Sequence, residues 1–142
     1  MKPVSELLRD RQGTIWHVRP DDTVFTALQL LAQHEVGALM VMEQGRLVGV
    51  LSERDYTRKI ALQGRSSKDT RVSEIMTANV YVVGPRTDTR QCMALMSEKR
   101  IRHLPVLDGG TVLGMISIRD IMDDIIADHE VTIAQLESYI HS

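Results

Sequence analysis

A single cysteine, Cys92, leaves the chain unable to form an internal disulfide. No CxxC partner or basic cluster stands beside it to lower its pKa, and it lies in an apolar run, so it reads as a small buried thiol. Long hydrophobic runs are missing too. None approaches the length of a membrane span, and charges interrupt MKPVSELLRDRQG where a secretory signal would be apolar. The expected compartment is a reducing cytoplasm. Neither sign of charge dominates, since 17 basic side chains meet 19 acidic ones, which excludes bulk attraction to nucleic acid or an anionic membrane. Any anion must be caught locally. Reactive constellations are lacking as well: His17, His34, His103, His129 and His141 show no ligand spacing with one another or with Cys92, so no metal site is expected. No glycine-rich phosphate loop, nucleophile–base pair or pair of catalytic carboxylates stands out, so the chain reads as a non-enzyme.

What the chain does have is repetition. The phrase GVLSERD at residues 49–55 returns as GMISIRD at 114–120, and an ungapped shift of 65 residues aligns 15–60 with 80–125 at eleven identities. These include Val18/Val83, Pro20/Pro85, Leu39/Leu104, Gly45/Gly110, Gly49/Gly114, Ser52/Ser117, Arg54/Arg119 and Asp55/Asp120. Each copy reads as strand, helix, strand, strand, helix, so the fold class is α/β (α+β), with β-α-β-β-α stated twice. TIWHV and NVYVV are β-branched and aromatic and end before Pro20 or Pro85. Asp22 and Thr87 are N-cap types that open the helical stretches TVFTALQLLAQHE and DTRQCMALMSEKR. ALMVM and HLPVL then lead through EQG or DGG into RLVGVLS or TVLGMIS, a hairpin in which Gly45 or Gly110 takes positive φ. The last helix begins at Ser52 or Ser117.

The expected divisions are an N-terminal segment 1–14, a first repeat 15–60, a linker 61–79, a second repeat 80–126 and a C-terminal helical extension 127–142. The linker is polar until Val72, Ile75 and Met76, where it should pack. In the extension Met122, Ile125, Ile126, His129, Ile133, Leu136 and Ile140 recur at three- and four-residue spacing, which predicts a helix over an apolar surface with any break at Val131-Thr132. A 46-residue unit buries too little to stand alone, so the two copies should pack with pseudo-two-fold symmetry and a cleft on either side.

With its paired GVLSERD and GMISIRD, its hairpins and the stretch IRHLPV at 101–106, the sequence resembles the tandem CBS (cystathionine β-synthase) domain, or Bateman module, over about nine-tenths of its length. ERDYTRKIALQGRSSK is similar to the short stand-alone CBS pairs of bacteria and plant organelles. The resemblance implies an adenosine nucleotide between the repeats, with AMP first and ADP, ATP or NAD(H) as other candidates. It implies that the Asp ending each phrase holds ribose hydroxyls while the partner repeat supplies the walls. One cleft would then combine Ser52 and Asp55 with Val80, Tyr81, Ile101, Arg102, His103 and Pro105. The other would combine Ser117 and Asp120 with Thr14, Ile15, Trp16, Val36, Gly37 and Ala38. A homodimer, and an unidentified regulated protein as a further partner, are also implied.

The residues themselves support two readings. SERD and SIRD fit a capping box, in which Ser and the acidic residue three places on satisfy each other's backbone N–H groups. That is the purely structural reading, of a homodimerisation module with no ligand. The binding reading rests on Arg54 and Arg119, each beside a carboxylate at a helix N-terminus. A carboxylate suits neutral ribose hydroxyls, so phosphate should lie toward Arg54, Arg119, Arg102 or His103, where arginine grips bidentately. Where the second copy reads IRHL the first reads VGAL, so the Asp55 cleft is expected to be the better phosphate site.

Overall fold

A computed structural model of the chain describes residues 2–9 and 15–141. Its elements run α1 (Val4–Arg9), β1 (His17–Val18), α2 (Val24–His34), β2 (Ala38–Glu43), β3 (Arg46–Ser52) and α3 (Glu53–Tyr56), which continues as a π-helical turn (Thr57–Ala61). Then come α4 (Val72–Ile75), α5 (Thr89–Lys99), β4 (His103–Asp108), β5 (Thr111–Ser117) and α6 (Ile118–His141). The expected α+β pattern is thus stated twice, around two small sheets.

Both hairpins are antiparallel and turn on two residues, Gln44-Gly45 and Gly109-Gly110, whose φ values are 51°, 77°, 56° and 88°. Two successive positive φ angles match the twist of the strands they join, which is why glycine holds the second place in both. The helices after the first strands start one residue later than the sequence predicts. Thr23 accepts from the Thr26 N–H and Asp88 from that of Gln91. Asp22 and Thr87 are occupied in the preceding turn, taking the N–H groups of Arg19 and Gly84.

The first strands are shorter than predicted. β1 pairs in parallel with β2 over two residues, His17 with Met40 and Val18 with Val41. Its counterpart in the second copy is a single bridge, Val83 with Val106. The residue aligned with Met40 is Pro105, which has no N–H to donate, so only the bonds from Val83 N to Pro105 O and from Leu107 N to Val83 O remain.

Each repeat has its own core. In the first, Val18, Val24, Ala27, Leu31, Leu39 and Leu51 pack with Val72 and Ile75 of α4; in the second, Cys92, Met96, Leu104, Val106, Ile116 and Ile121 pack with Val4 of α1. The segments VSEL and VSEI therefore do the same job. Val72 and Ser73 donate to Asp22 O and Pro20 O, and Val4 and Ser5 donate to the aligned Thr87 O and Pro85 O. Met76 lies where a Cβ on Gly49 would be, 2.8 Å from its sulfur, and Leu8 covers Gly114 at 2.9 Å. Thus the N-terminal helix closes the second repeat, not the one it precedes.

α6 runs through Val131-Thr132 without a break, since no Gly or Pro interrupts residues 118–141. Met122, Ile126 and Ile133 are each more than half exposed, so this part of the helix leaves an apolar stripe open instead of covering one. Cys92 is fully buried, and burial, with Asp88 adding to it, pushes its thiol up to about 11. The thiolate is the reactive form, so native protein at pH 7.5 should resist iodoacetamide over hours and be alkylated within minutes in urea. Rapid labelling without urea would contradict this packing.

Candidate functional site

The SxxD turns are built as capping boxes. In the first, Ser52 Oγ accepts from Asp55 N at 3.2 Å, while Asp55 Oδ2 accepts from Ser52 N at 2.9 Å and from Ser52 Oγ at 3.0 Å. The second repeats the pattern: Asp120 Oδ2 lies 2.7 Å from Ser117 N and 2.9 Å from Ser117 Oγ. Each turn is hung from the loop of its own repeat, Glu53 N on Gly37 O and Ile118 N on Arg102 O. The structural role of both phrases is therefore fully realised.

Asp55 is held beyond its cap. Asp55 Oδ1 takes an ion pair from Lys59 Nζ at 3.1 Å and a hydrogen bond from Thr77 Oγ1 at 3.3 Å. With two donors on each oxygen, its four lone-pair positions are all engaged. A ribose hydroxyl would have to displace Lys59 or Thr77. In the second repeat the residue aligned with Lys59 is Asp124, whose side chain is buried near Lys2.

Two clefts lie between the repeats. The first, of about 450 Å³, brings Ser52, Arg54 and Asp55 against Val80, Tyr81, Ile101, Arg102 and His103 of the other copy. The second, of about 600 Å³, brings Ser117, Arg119 and Asp120 against Ile15, Trp16, Val36, Gly37 and Ala38. Of the expected set, Pro105 is buried in β4 and lines neither cleft, and Thr14 lies outside the described residues. Lys59, Arg58 and Thr77 in the first cleft and Glu35 in the second were not expected. For Lys59 the sequence carried a signal, its place four residues after Asp55 on a helix.

The electrostatics follow the residue types. Among the described residues, Arg54, Arg58, Lys59 and Arg102 outnumber Glu53 and Asp55 in the first cleft, whereas the second is lined by Arg102 and Arg119 with Glu35 and Asp120. Arg54 is fixed across the repeats, donating to Arg100 O at 2.9 Å. That carbonyl belongs to the left-handed residue ending α5, aligned with Glu35 at the end of α2. His103 is largely buried, and desolvation followed by Arg102 pushes its pKa down to about 4, so its imidazole is neutral at pH 7. It contributes hydrogen-bonding nitrogens but no charge. Each cleft has an aromatic wall at its mouth: Tyr81, with Lys99 Nζ 5.2 Å from its ring centroid, and Trp16, stacked on His34 at 3.4 Å.

A model of the CBS domain matches the chain twice, at residues 4–62 and 72–127. The chain belongs to the CBS-domain family. Each CBS match begins at one of the two VSE segments. Among similar proteins, the Arabidopsis thaliana "CBS domain-containing protein CBSX3, mitochondrial" is 44% identical over 84% of this chain, which spans 61% of that relative's length. A CBS-domain protein of Burkholderia ambifaria MC40-6 superposes with a TM-score of 0.86 at 49% identity, covering 89% of this chain and 96% of the other. The hexameric CBS-CP12 protein from bloom-forming cyanobacteria superposes with a TM-score of 0.76 at 28% identity, covering 98% of this chain and 88% of that one. CBS pairs are regulatory, non-catalytic ligand-binding modules, and their assemblies include oligomers. Among the described residues, no group of three or more His, Cys, Asp and Glu could hold a metal ion, and no helix is long and apolar enough to cross a membrane.

Proposed function

We propose that this CBS pair is an adenosine-nucleotide-binding regulatory module, with AMP as the leading ligand and ADP, ATP and NAD(H) as alternatives of the same chemistry. The observation that carries this reading is the composition of the clefts: an acidic turn from one repeat faces an aromatic and apolar wall from the other, with arginines between them. An adenine ring suits the wall of Tyr81, Val80 and Ile101 or that of Trp16, Ile15 and Val36, ribose suits the Asp, and phosphate suits the guanidinium groups. A ligand that touches both repeats favours one relative arrangement of them, which makes a container into a switch. The module acts as a homodimer in the cytoplasm, with the exposed α6 stripe available for contact and the output passed to a separate regulated protein.

The rival reading, a purely structural dimerisation module, is favoured by the full set of donors already on Asp55. Thermal unfolding separates the two. A nucleotide at ten times its Kd stabilises the protein by about 1.4 kcal/mol, or a few degrees for a chain of this size. Asp55→Ala and Asp120→Ala each remove a cap as well, so the quantity to compare is the ligand-induced shift within each variant. The binding reading expects a shift in wild type that shrinks in the variants. A wild-type protein whose melting is indifferent to AMP, ADP, ATP, NADH and adenosine would leave the structural reading standing.

A further inference from the structure

The two clefts share one wall, and it carries one charge. Gly37, Arg102 and His103 line both clefts, and in the repeat alignment Gly37 occupies the place of Arg102 and Ala38 that of His103. Perfect symmetry would put a guanidinium on each side. Instead the first repeat offers a bare glycine, with the His103 ring against it, 3.3 Å from where a Cβ would stand. The Arg102 side chain is exposed, and among the described residues no hydrogen bond or ion pair holds its guanidinium. Arg54, in contrast, is tied to Arg100 O.

We propose that Arg102 is a single phosphate-binding cation used by both clefts in turn, so that a phosphorylated ligand in one cleft weakens the binding of a second phosphorylated ligand in the other. This rests on the nucleotide reading and adds to it a rule of occupancy. The cation-rich Asp55 cleft fills first and takes Arg102 with it. Among the described residues, the Asp120 cleft is then left with one lining guanidinium, that of Arg119, and takes an uncharged nucleoside more readily than a phosphate. A bidentate arginine–phosphate contact is among the stronger polar interactions, and its loss weakens binding by about tenfold or more. Coupling of this kind is reciprocal, so blocking either cleft to phosphate frees the arginine for the other.

The test closes the first cleft and watches the second. Val80 lines only the Asp55 cleft, and Val80→Phe crowds it. Trp16, the one tryptophan of the chain, lines only the Asp120 cleft and reports its filling by fluorescence. AMP and adenosine are titrated into wild type, Val80→Phe, Arg102→Ala and the double variant, with calorimetry giving stoichiometry. The expected result is that Val80→Phe lowers the AMP concentration that half-fills the Trp16 cleft by about tenfold, leaves the adenosine titration where it was, and has no such effect once Arg102 is alanine. An AMP titration at Trp16 unmoved by Val80→Phe, or a shift that persists in the Arg102→Ala background, overturns the shared cation while leaving nucleotide binding intact. No heat and no fluorescence change with either ligand in wild type overturns both.

Discussion

Lys2→Met is expected to lower the unfolding free energy by about 2–3 kcal/mol, a large effect for a residue at the edge of the fold. The reason is Asp124. Its side chain is 1% exposed, among the described residues neither carboxylate oxygen has a hydrogen-bond partner, and Lys2 Nζ approaches Oδ1 at 3.4 Å, a charge pairing without a hydrogen bond. Removing the cation from a buried pair strands the other charge, which costs about 3–5 kcal/mol in a dry interior. Lys2 is half exposed, so part of its attraction is already screened by water, and the lower figure follows. Replacing both groups with apolar ones removes the stranded charge, so Lys2→Met/Asp124→Leu should recover most of the loss. Urea denaturation of the three variants at pH 7 checks this. If the double variant is no more stable than Lys2→Met alone, Asp124 is not the source of the cost.

This pair also shows what the sequence hides. The eleven identities appear at one offset, 65 residues, because they mark positions the fold needs twice: Gly49 and Gly114 under a covering side chain, Ser52 and Ser117 with Asp55 and Asp120 in the caps. VSELL at 4–8 and VSEIM at 72–76 are just as plainly related, but they lie 68 residues apart. A comparison at one offset passes over them, and 1–14 and 61–79 then look like unlike pieces. Only the structure shows that α1 and α4 complete opposite cores with the same valine and serine.

Other departures have local causes. Asp22-Thr23 and Thr87-Asp88 each put two cap-type residues side by side, and sequence alone does not say that the first serves the turn while the second serves the helix. A missing strand in the second copy traces to Pro105, one residue that removes one donor. The pairing of halves was legible because each is too small to bury its sheet alone, whereas the residues walling the clefts came from the resemblance to tandem CBS domains and not from the chain's own pattern. Thr77 on Asp55 and the wall common to both clefts were not legible, since each depends on how segments distant in the chain meet in space.

The second large effect is on acid stability, and it belongs to His103. Burial, then Arg102, holds its pKa at about 4 in the folded chain, against about 6.5 when unfolded. Between those values the unfolded chain takes up a proton that the folded chain refuses, so stability present above pH 6.5 is lost as pH falls toward 4. The loss attributable to this ring is about 2–3 kcal/mol by pH 4.5. His103→Gln keeps a polar planar group but cannot titrate. Wild type should therefore lose more stability than the variant between pH 7 and pH 4.5, by roughly that amount, in paired urea titrations. Glu74, held low by the Arg71 N–H and by Arg65, is the same in both proteins and cancels from the difference. Parallel losses would mean that the ring protonates freely where it stands, and then below about pH 6.5 His103 would be a second cation on the shared wall beside Arg102.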